Sequence, residues 1–305
     1  PATSPTNPLK ESTSVSSKLA ALALTAGISL PGLPAIPTYS AIDQIPVVGP
    51  AIVQTYKQLP PQVQRAIHLP LPLTAPAAAK RQPTGKSATE VQAQLDQLVR
   101  DVVARHGGRA TASVGGITAG DNRPEPAFST MKVPVAIGAL RKSPAAHPDA
   151  EVAVTRSDNP AAHRMFGQVS GAELDGIIAE AGSRTTNSAG YQMGTLWTTS
   201  DQAAFASGLR CVKGHEPVLD MMGRVVDYQR WGVGRIPGAR FKGGWNYYES
   251  GHLARQFGLI PGPNGDIAVA ITVHSPKGHE GSFAMLNELA DGIAAMRGDL
   301  PTARC

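Results

Sequence analysis

A serine and a lysine three residues apart, Ser129-Thr130-Met131-Lys132, lead into an apolar run that continues to Leu140. On a helix, positions i and i+3 share a face, which brings the Lys132 amine within reach of the Ser129 hydroxyl. A hydroxyl is a poor nucleophile until an adjacent base accepts its proton, and lysine serves as that base once burial or a neighbouring cation lowers its pKa. Two further strings follow: Ser157-Asp158-Asn159 before Pro160-Ala161-Ala162, and Lys242-Gly243-Gly244 between Phe241 and Trp245. Lys242 is the natural candidate for the neighbouring cation. Nucleophilic acyl transfer is the chemistry this set could perform. Each string alone also has a plainer reading. Ser129 caps a buried helix while Lys132 reaches solvent; Ser157 to Asn159 form a cap opening a helix at Pro160; the glycine pair permits close backbone packing in a strand.

Order and flanks lift the three strings above chance. They resemble the Ser-x-x-Lys, Ser-Asp-Asn and Lys-Thr-Gly set of penicillin-binding proteins and class A β-lactamases, over roughly residues 87–300. The resemblance implies an α/β architecture of the α+β type, a β-lactamase/transpeptidase-like antiparallel sheet flanked by helices. It also implies roles. Ser129 is the nucleophile and Lys132 its base; Ser157 relays a proton to the leaving group; Asn159 positions the lysine or the substrate amide; Lys242 supplies positive charge. The backbone N–H groups of Ser129 and Trp245 form the oxyanion hole, and Gly243 and Gly244 line the substrate. The substrate so implied is a small-molecule or peptide acyl compound, an amide or ester such as a cell-wall peptide.

Four departures qualify the resemblance. Gly243 stands where the family has a hydroxyl side chain that binds the substrate carboxylate. Residues 183–194 contain no acid where class A β-lactamases carry Glu-x-x-Leu-Asn, so efficient β-lactam hydrolysis is not expected. Glu173 and Glu180 fall in a helical pattern and read as solvated. Only 28 residues separate Ser129 from Ser157, which implies a reduced all-helical subdomain and an open site. Pro134 removes a backbone donor and is expected to distort the first turns of the nucleophile helix. Two functions follow: a serine acyl hydrolase or peptidase, or a non-catalytic envelope protein of the same fold that binds a partner or ligand through its cleft or N-terminal extension.

The elements that position these residues are legible in outline. Ser87-Ala88-Thr89-Glu90 has capping-box spacing, and Val91, Leu95, Leu98, Val102 and Val103 recur at helical period up to His106-Gly107-Gly108. Ala110 to Thr118 alternates like a strand. Met131 to Leu140 reads as a buried helix entered at Ser129. Helical patterns recur at 160–168, 171–181, 199–211 and 280–297. Ala239 to Tyr248, Gly251 to Ile260 and Asp266 to His274 read as antiparallel strands, the last two joined by a turn over residues 261–266.

Residues 1–85 form a Pro/Ala-rich apolar extension ahead of a domain at 86–305. Prolines at 31, 34, 37, 46, 50, 60, 61, 70, 72 and 76 interrupt short apolar pieces, which disfavours continuous helix or central strand. The extension either docks on its own domain, an envelope protein or a membrane surface, or trails as an exported tail. Residues 18–30 resemble a secretory signal, and the chain opens on Pro1 as a processed form would; either the signal is retained or this stretch belongs to the mature protein. Prolines 31, 34 and 37 cut the uncharged tract short of a spanning helix. Across the 305 residues, 28 Lys+Arg against 23 Asp+Glu leave a net charge of +5. That charge is scattered, with none of the basic patches expected of a nucleic-acid binder. Metal-ligand spacings are absent as well, so no cofactor is expected. The two cysteines, Cys211 and Cys305, suit one disulfide in an oxidising extracytoplasmic space, or else a buried Cys211 and a free Cys305.

Overall fold

The computed structural model describes residues 85–184, 186–188 and 194–305, all within the compact unit Pro83–Cys305. The readings made for residues 1–84 lie outside the described residues.

Helix α1 (Ala88–His106) begins at a complete capping box, with Ser87 N–H donating to the Glu90 carboxylate at 2.7 Å and Glu90 N–H to Ser87 Oγ at 3.3 Å. It ends at Gly107 and Gly108, whose φ values of 76° and 78° suit glycine. The stretch read as one strand is a hairpin, β1 (Arg109–Val114) and β2 (Ile117–Gly120). Gly115 and Gly116, at φ 53° and 85°, form its two-residue turn; the small-residue alternation runs through a Gly-Gly hairpin signal and masks it. A two-residue β3 (Glu125–Pro126) and a 3₁₀ turn (Phe128–Met131) precede α2 (Lys132–Lys142). Then come α3 (His147–Thr155), α4 (Asn159–Phe166), α5 (Gly171–Glu180), β4 (Leu196–Trp197), α6 (Thr199–Gly208) and α7 (Glu216–Gly223). The pattern expected at 199–211 is α6 plus a 3₁₀ turn over Leu209–Cys211. Neither α3 nor α7 is among the helices expected from the sequence: α3 shows little periodicity, and in α7 Val218, Leu219, Met221 and Met222 fall at helical spacing within only eight residues.

Strands β5 (Arg240–Tyr248), β6 (Gly251–Gly262) and β7 (Gly265–Ser275) and the final helix α8 (Gly278–Met296) complete the body. Pairing between β6 and β7 continues to Gly262↔Gly265, so only Pro263 and Asn264 turn, rather than the six residues expected. The five-stranded antiparallel sheet has the order β2-β1-β7-β6-β5, which leaves β5 at an edge. Alternation along the strands feeds two cores. Phe257, Leu259, Ala268 and Ala270 pack under α2 to α7; Phe241, Ala254, Ile267, Val269 and Ile271 pack under α1 and α8. The helical subdomain is small, since only α2 and α3 fit between Ser129 and Ser157.

Cys211 and Cys305 are bonded, with Cα atoms 5.6 Å apart across 94 residues. The tail this anchors is stitched down by Ala303 N–H to Asp266 O at 2.7 Å and by the Arg304 guanidinium to Ala181 O at 2.7 Å. In the chain-entropy picture a link closing a loop of this order is worth about 4–5 kcal/mol. Cys305→Ser is expected to lower the unfolding free energy by about 2–5 kcal/mol in urea melts without reductant, and reductant should erase the difference. Equal midpoints under oxidising conditions would show that the bond stabilises nothing.

Candidate active site

Three elements converge: the 3₁₀ turn leading into α2, the junction of α3 with α4, and the edge strand β5. Ser129 is the second residue of the turn, directly after Phe128, which is held at φ 47°. The helix proper starts at Lys132, one residue after the range expected from Met131, and Ser129 lies in the 3₁₀ turn that enters it. Pro134 is the third residue of α2, in the first turn, where a missing N–H is least costly. The irregularity expected there is the 3₁₀ turn that carries the nucleophile candidate.

At the second element, Ser157 adopts φ 60°, a left-handed conformation rare outside glycine. Asp158 caps α4 by accepting from Ala161 N–H at 2.8 Å, and Pro160 takes the first turn. The plain reading of this string, a helix cap, therefore holds together with its place in the site. Left-handed backbone at Ser157 turns its carbonyl and its hydroxyl toward Lys132.

Lys132 is 1% exposed. Its Nζ donates to Ser157 O at 2.6 Å, Ser157 Oγ at 3.2 Å and Asn159 Oδ1 at 2.7 Å. All three ammonium donors are thus directed at the α3–α4 junction, rather than at Ser129 Oγ as helical spacing suggests. Positions i and i+3 stay on one face through the 3₁₀ turn, so it is the pull of the partners at Ser157 and Asn159 that sets the direction of the ammonium. Lys242, 0% exposed, projects from β5 into the same place, donating to Ser157 Oγ at 3.1 Å and Gly243 O at 2.8 Å. Ser157 Oγ thus accepts from both lysines, which fills both lone pairs and leaves its own proton free to donate.

Burial brings the Lys132 pKa down to about 8, against an upward pull from Asp158. Burial pushes Lys242 well below the usual lysine range, and repulsion from Lys132 pushes it further. The repulsion between the two lysines is mutual and favours loss of a proton from the pair.

Strand β5 carries Lys242 and Gly244 on its helical face, Gly243 and Trp245 on the other. A Cβ built on Gly244 would lie 2.8 Å from Ser129 N and 3.0 Å from Ala127 O, so only glycine lets the strand meet this turn. A Cβ on Gly243 would lie 3.0 Å from Trp231 Cη2. The indole lies where a side chain at position 243 would begin, which gives the missing hydroxyl a steric counterpart. Glu173 and Glu180 stand apart on α5, paired with Lys142 and Arg141, each at 2.7 Å. Ser183 and Arg184 open the next loop by bonding Asp201; residues 185 and 189–193 lie outside the described residues.

Several supporting residues escape sequence reasoning. Arg255, 0% exposed, donates to Glu125 O at 2.8 Å, Pro126 O at 3.2 Å, Trp197 O at 2.9 Å and Gln202 Oε1 at 3.1 Å. Gln202 passes the contact on to Thr130 Oγ1 at 2.9 Å, tying β3, β4 and the Ser129 turn to one guanidinium. Gln256 accepts from Val233 N–H at 2.7 Å and donates to Trp231 O at 2.8 Å. The available signal was Arg255-Gln256 standing together inside an otherwise apolar strand.

Solved structures similar to this chain include β-lactamases. A β-lactamase from Sphaerobacter thermophilus DSM 20745 matches with a TM-score of 0.56 at 17% identity, over 69% of this chain and 99% of that one. The TLA-1 extended-spectrum β-lactamase matches at 0.58 and 15%, over 67% and 98%. A class A β-lactamase from Bacteroides cellulosilyticus DSM 14838 matches at 0.55 and 12%, over 67% and 98%. No family model matches the chain. No curated protein matches it either. The described body has the fold of class A β-lactamases, an antiparallel sheet flanked by helices, at a sequence distance where fold alone is shared.

The lysine pair predicts a pH-dependent stability. With the folded pKa of Lys132 near 8 and its ordinary value 10.5, the unfolded chain binds more protons between these values, so stability rises with pH across that window. A shift of this size is worth roughly 3 kcal/mol. Urea midpoints should climb from about pH 8 to about pH 10, and Lys132→Met should flatten the climb. An unchanged slope in the variant would mean that Lys132 is charged throughout.

Proposed function

We propose that this chain is an exported serine acyl hydrolase or peptidase that attacks an amide or ester through Ser129. The observation that carries the reading is the convergence of two buried lysines on Ser157 Oγ beside the strained turn bearing Ser129. In this reading Ser129 Oγ adds to the substrate carbonyl and its proton passes to neutral Lys132, directly or through Ser157. The Ser129 and Trp245 N–H groups hold the oxyanion, a device whose loss costs about 10²–10³ in rate. Ser157 then donates its proton to the leaving nitrogen or oxygen as the C–N or C–O bond breaks, and takes one back from Lys132, which restores the neutral amine. Asn159 holds Lys132 in place. The bonded cysteines and the signal-like residues 18–30 support export, with residues 1–85 offering contact to an envelope protein or membrane surface.

Efficient β-lactam hydrolysis is not part of the proposal, since residues 183–194 carry no carboxylate to activate a deacylating water. The test is intact-mass spectrometry after exposure to a fluorophosphonate and, separately, to a fluorescent penicillin. A fluorophosphonate adduct absent from Ser129→Ala is expected, with a labelling rate that climbs as pH passes about 8, because only neutral Lys132 accepts a proton. A penicillin adduct, where formed, should be long-lived. Absence of any Ser129-dependent adduct would turn the reading to a non-catalytic binder on the same fold.

Gly244→Ala adds an internal check. Its Cβ would press on Ser129 N, so labelling should fall by about 10²-fold or more while the circular dichroism spectrum stays unchanged. Wild-type labelling in this variant would separate β5 from the oxyanion site.

A further inference from the structure

The face of β5 turned away from α2 to α7 carries a cluster that the acyl-transfer scheme does not use. Trp231 lies against the bare backbone of Gly243 and stacks on Phe283, with ring centroids 4.0 Å apart and planes at 20°. Trp245 meets Trp231 edge-on at 5.3 Å and Phe283 at 6.1 Å. His279 extends the wall, its ring 4.1 Å from that of Phe283. Trp231 is held rigidly by Gln256, and the next residue, Gly232, donates to Asn287 Oδ1 at 2.6 Å. Trp231 is 8% exposed, while Trp245 and Phe283 are half-buried and keep part of their rings open to solvent. This wall begins one residue from Gly244, which touches the Ser129 amide, and it borders the sheet's open edge.

Charge is scarce along it. Lys132 and Lys242 are turned inward onto Ser157, Asn159 and Gly243 O. Arg230, next to Trp231 in the chain, lies 5.5 Å over the Phe241 ring and donates to Val225 O at 3.4 Å. A carboxylate placed against these rings would lose hydration with no lysine or arginine facing it and only indole N–H groups and the imidazoles of His279 and His252 at hand, whereas an aryl or alkyl group would gain ring contacts.

We infer that the part of the substrate lying along β5 beside Ser129 is neutral and apolar, an aryl or alkyl group rather than a carboxylate, with Trp231 and Trp245 setting that selectivity. This rests on the acyl-hydrolase reading for the position of the reacting carbonyl. The wall itself, however, can be tested by binding alone.

Methyl phenylacetate and its 4-carboxyl derivative form a matched pair of similar shape and different charge. Titration of the Ser129→Ala protein, followed by tryptophan fluorescence, is expected to show the neutral ester binding about tenfold more tightly or better. The wild type should show the same preference in kcat/KM, carried by KM. Trp231→Ala should bring the ratio toward one and Trp231→Phe should keep it; Trp245→Ala is the second variant should Trp231→Ala not fold. Equal or tighter binding of the anionic ester, or a ratio untouched by loss of either tryptophan, would overturn the inference. If the wild type turns over neither ester while Ser129→Ala binds with the stated preference, the hydrolase reading fails and the apolar wall stands. Turnover of both esters without preference would overturn the apolar wall and leave the hydrolase reading standing.

Discussion

Two buried ammonium groups cannot share one hydroxyl while both are charged, and the site is built around that conflict. Lys132 arrives from α2 and Lys242 from β5, and both donate to Ser157 Oγ. No ion pair to a carboxylate neutralises either lysine among the described residues, and Asp158 acts on Lys132 only as a field while its Oδ1 caps α4. Desolvation and repulsion then work together to favour neutral amines. A neutral lysine in water near pH 7 is a rare species; enclosure here shifts both lysines toward it, Lys132 to a pKa of about 8 and Lys242 in the same direction. The positive φ of Ser157 belongs to the same conflict. Strain at that residue persists because the cap at Asp158 and the bonds from Lys132 over-determine its backbone.

Holding a strand edge and a helix start within bonding distance of each other requires backbone scaffolding that the motif residues cannot supply. Arg255 does this from beneath, gathering carbonyls of β3 and β4 and, through Gln202, the Thr130 hydroxyl. Those carbonyls belong to the short β3–β4 pair, and the guanidinium adds charge-assisted bonds to that pairing. Gly244 does it from the side, by having no Cβ where one would strike Ser129 N. One glycine of the pair therefore serves approach to the nucleophile, while its neighbour Gly243 makes room for Trp231. The string Lys242-Gly243-Gly244 is a single pattern in sequence and two separate packing solutions in space.

That division explains which features are legible in the sequence. The catalytic strings, the capping box at Ser87, the helix opening at Pro160 and the three long strands are local features, each determined by a few consecutive residues, and they stand close to their expected places. The hairpin at Gly115-Gly116 is hidden because alternation of small residues continues across a turn that glycine alone marks. The orientation of Lys132 is hidden because its partners, Ser157 and Asn159, come beside it only once the α3–α4 junction packs against α2. Arg255, Gln256 and Trp231 escape for a different reason: their roles exist only once β6, β5 and the loop before β5 are side by side. A polar pair inside an apolar strand announces that something is buried there, but not what it bonds.

The same geometry constrains the second half of any reaction at Ser129. In the proposed reaction Ser157 gives its proton to the leaving group and recovers one from Lys132, so Lys132 returns to the neutral amine with the acyl group in place. A water molecule must then approach the ester and lose a proton. The stretch where related folds place a carboxylate for this task has none, and the acids of α5 are committed to Arg141 and Lys142. Lys132 is the remaining base, and its amine is engaged with Ser157 and Asn159. Acylation and deacylation are therefore unequally served. A site so arranged favours transfer of the acyl group to an incoming amine or hydroxyl that brings its own nucleophilicity, or slow release to water. In either case the apolar wall along β5 would govern which acyl compounds reach Ser129 in the first place.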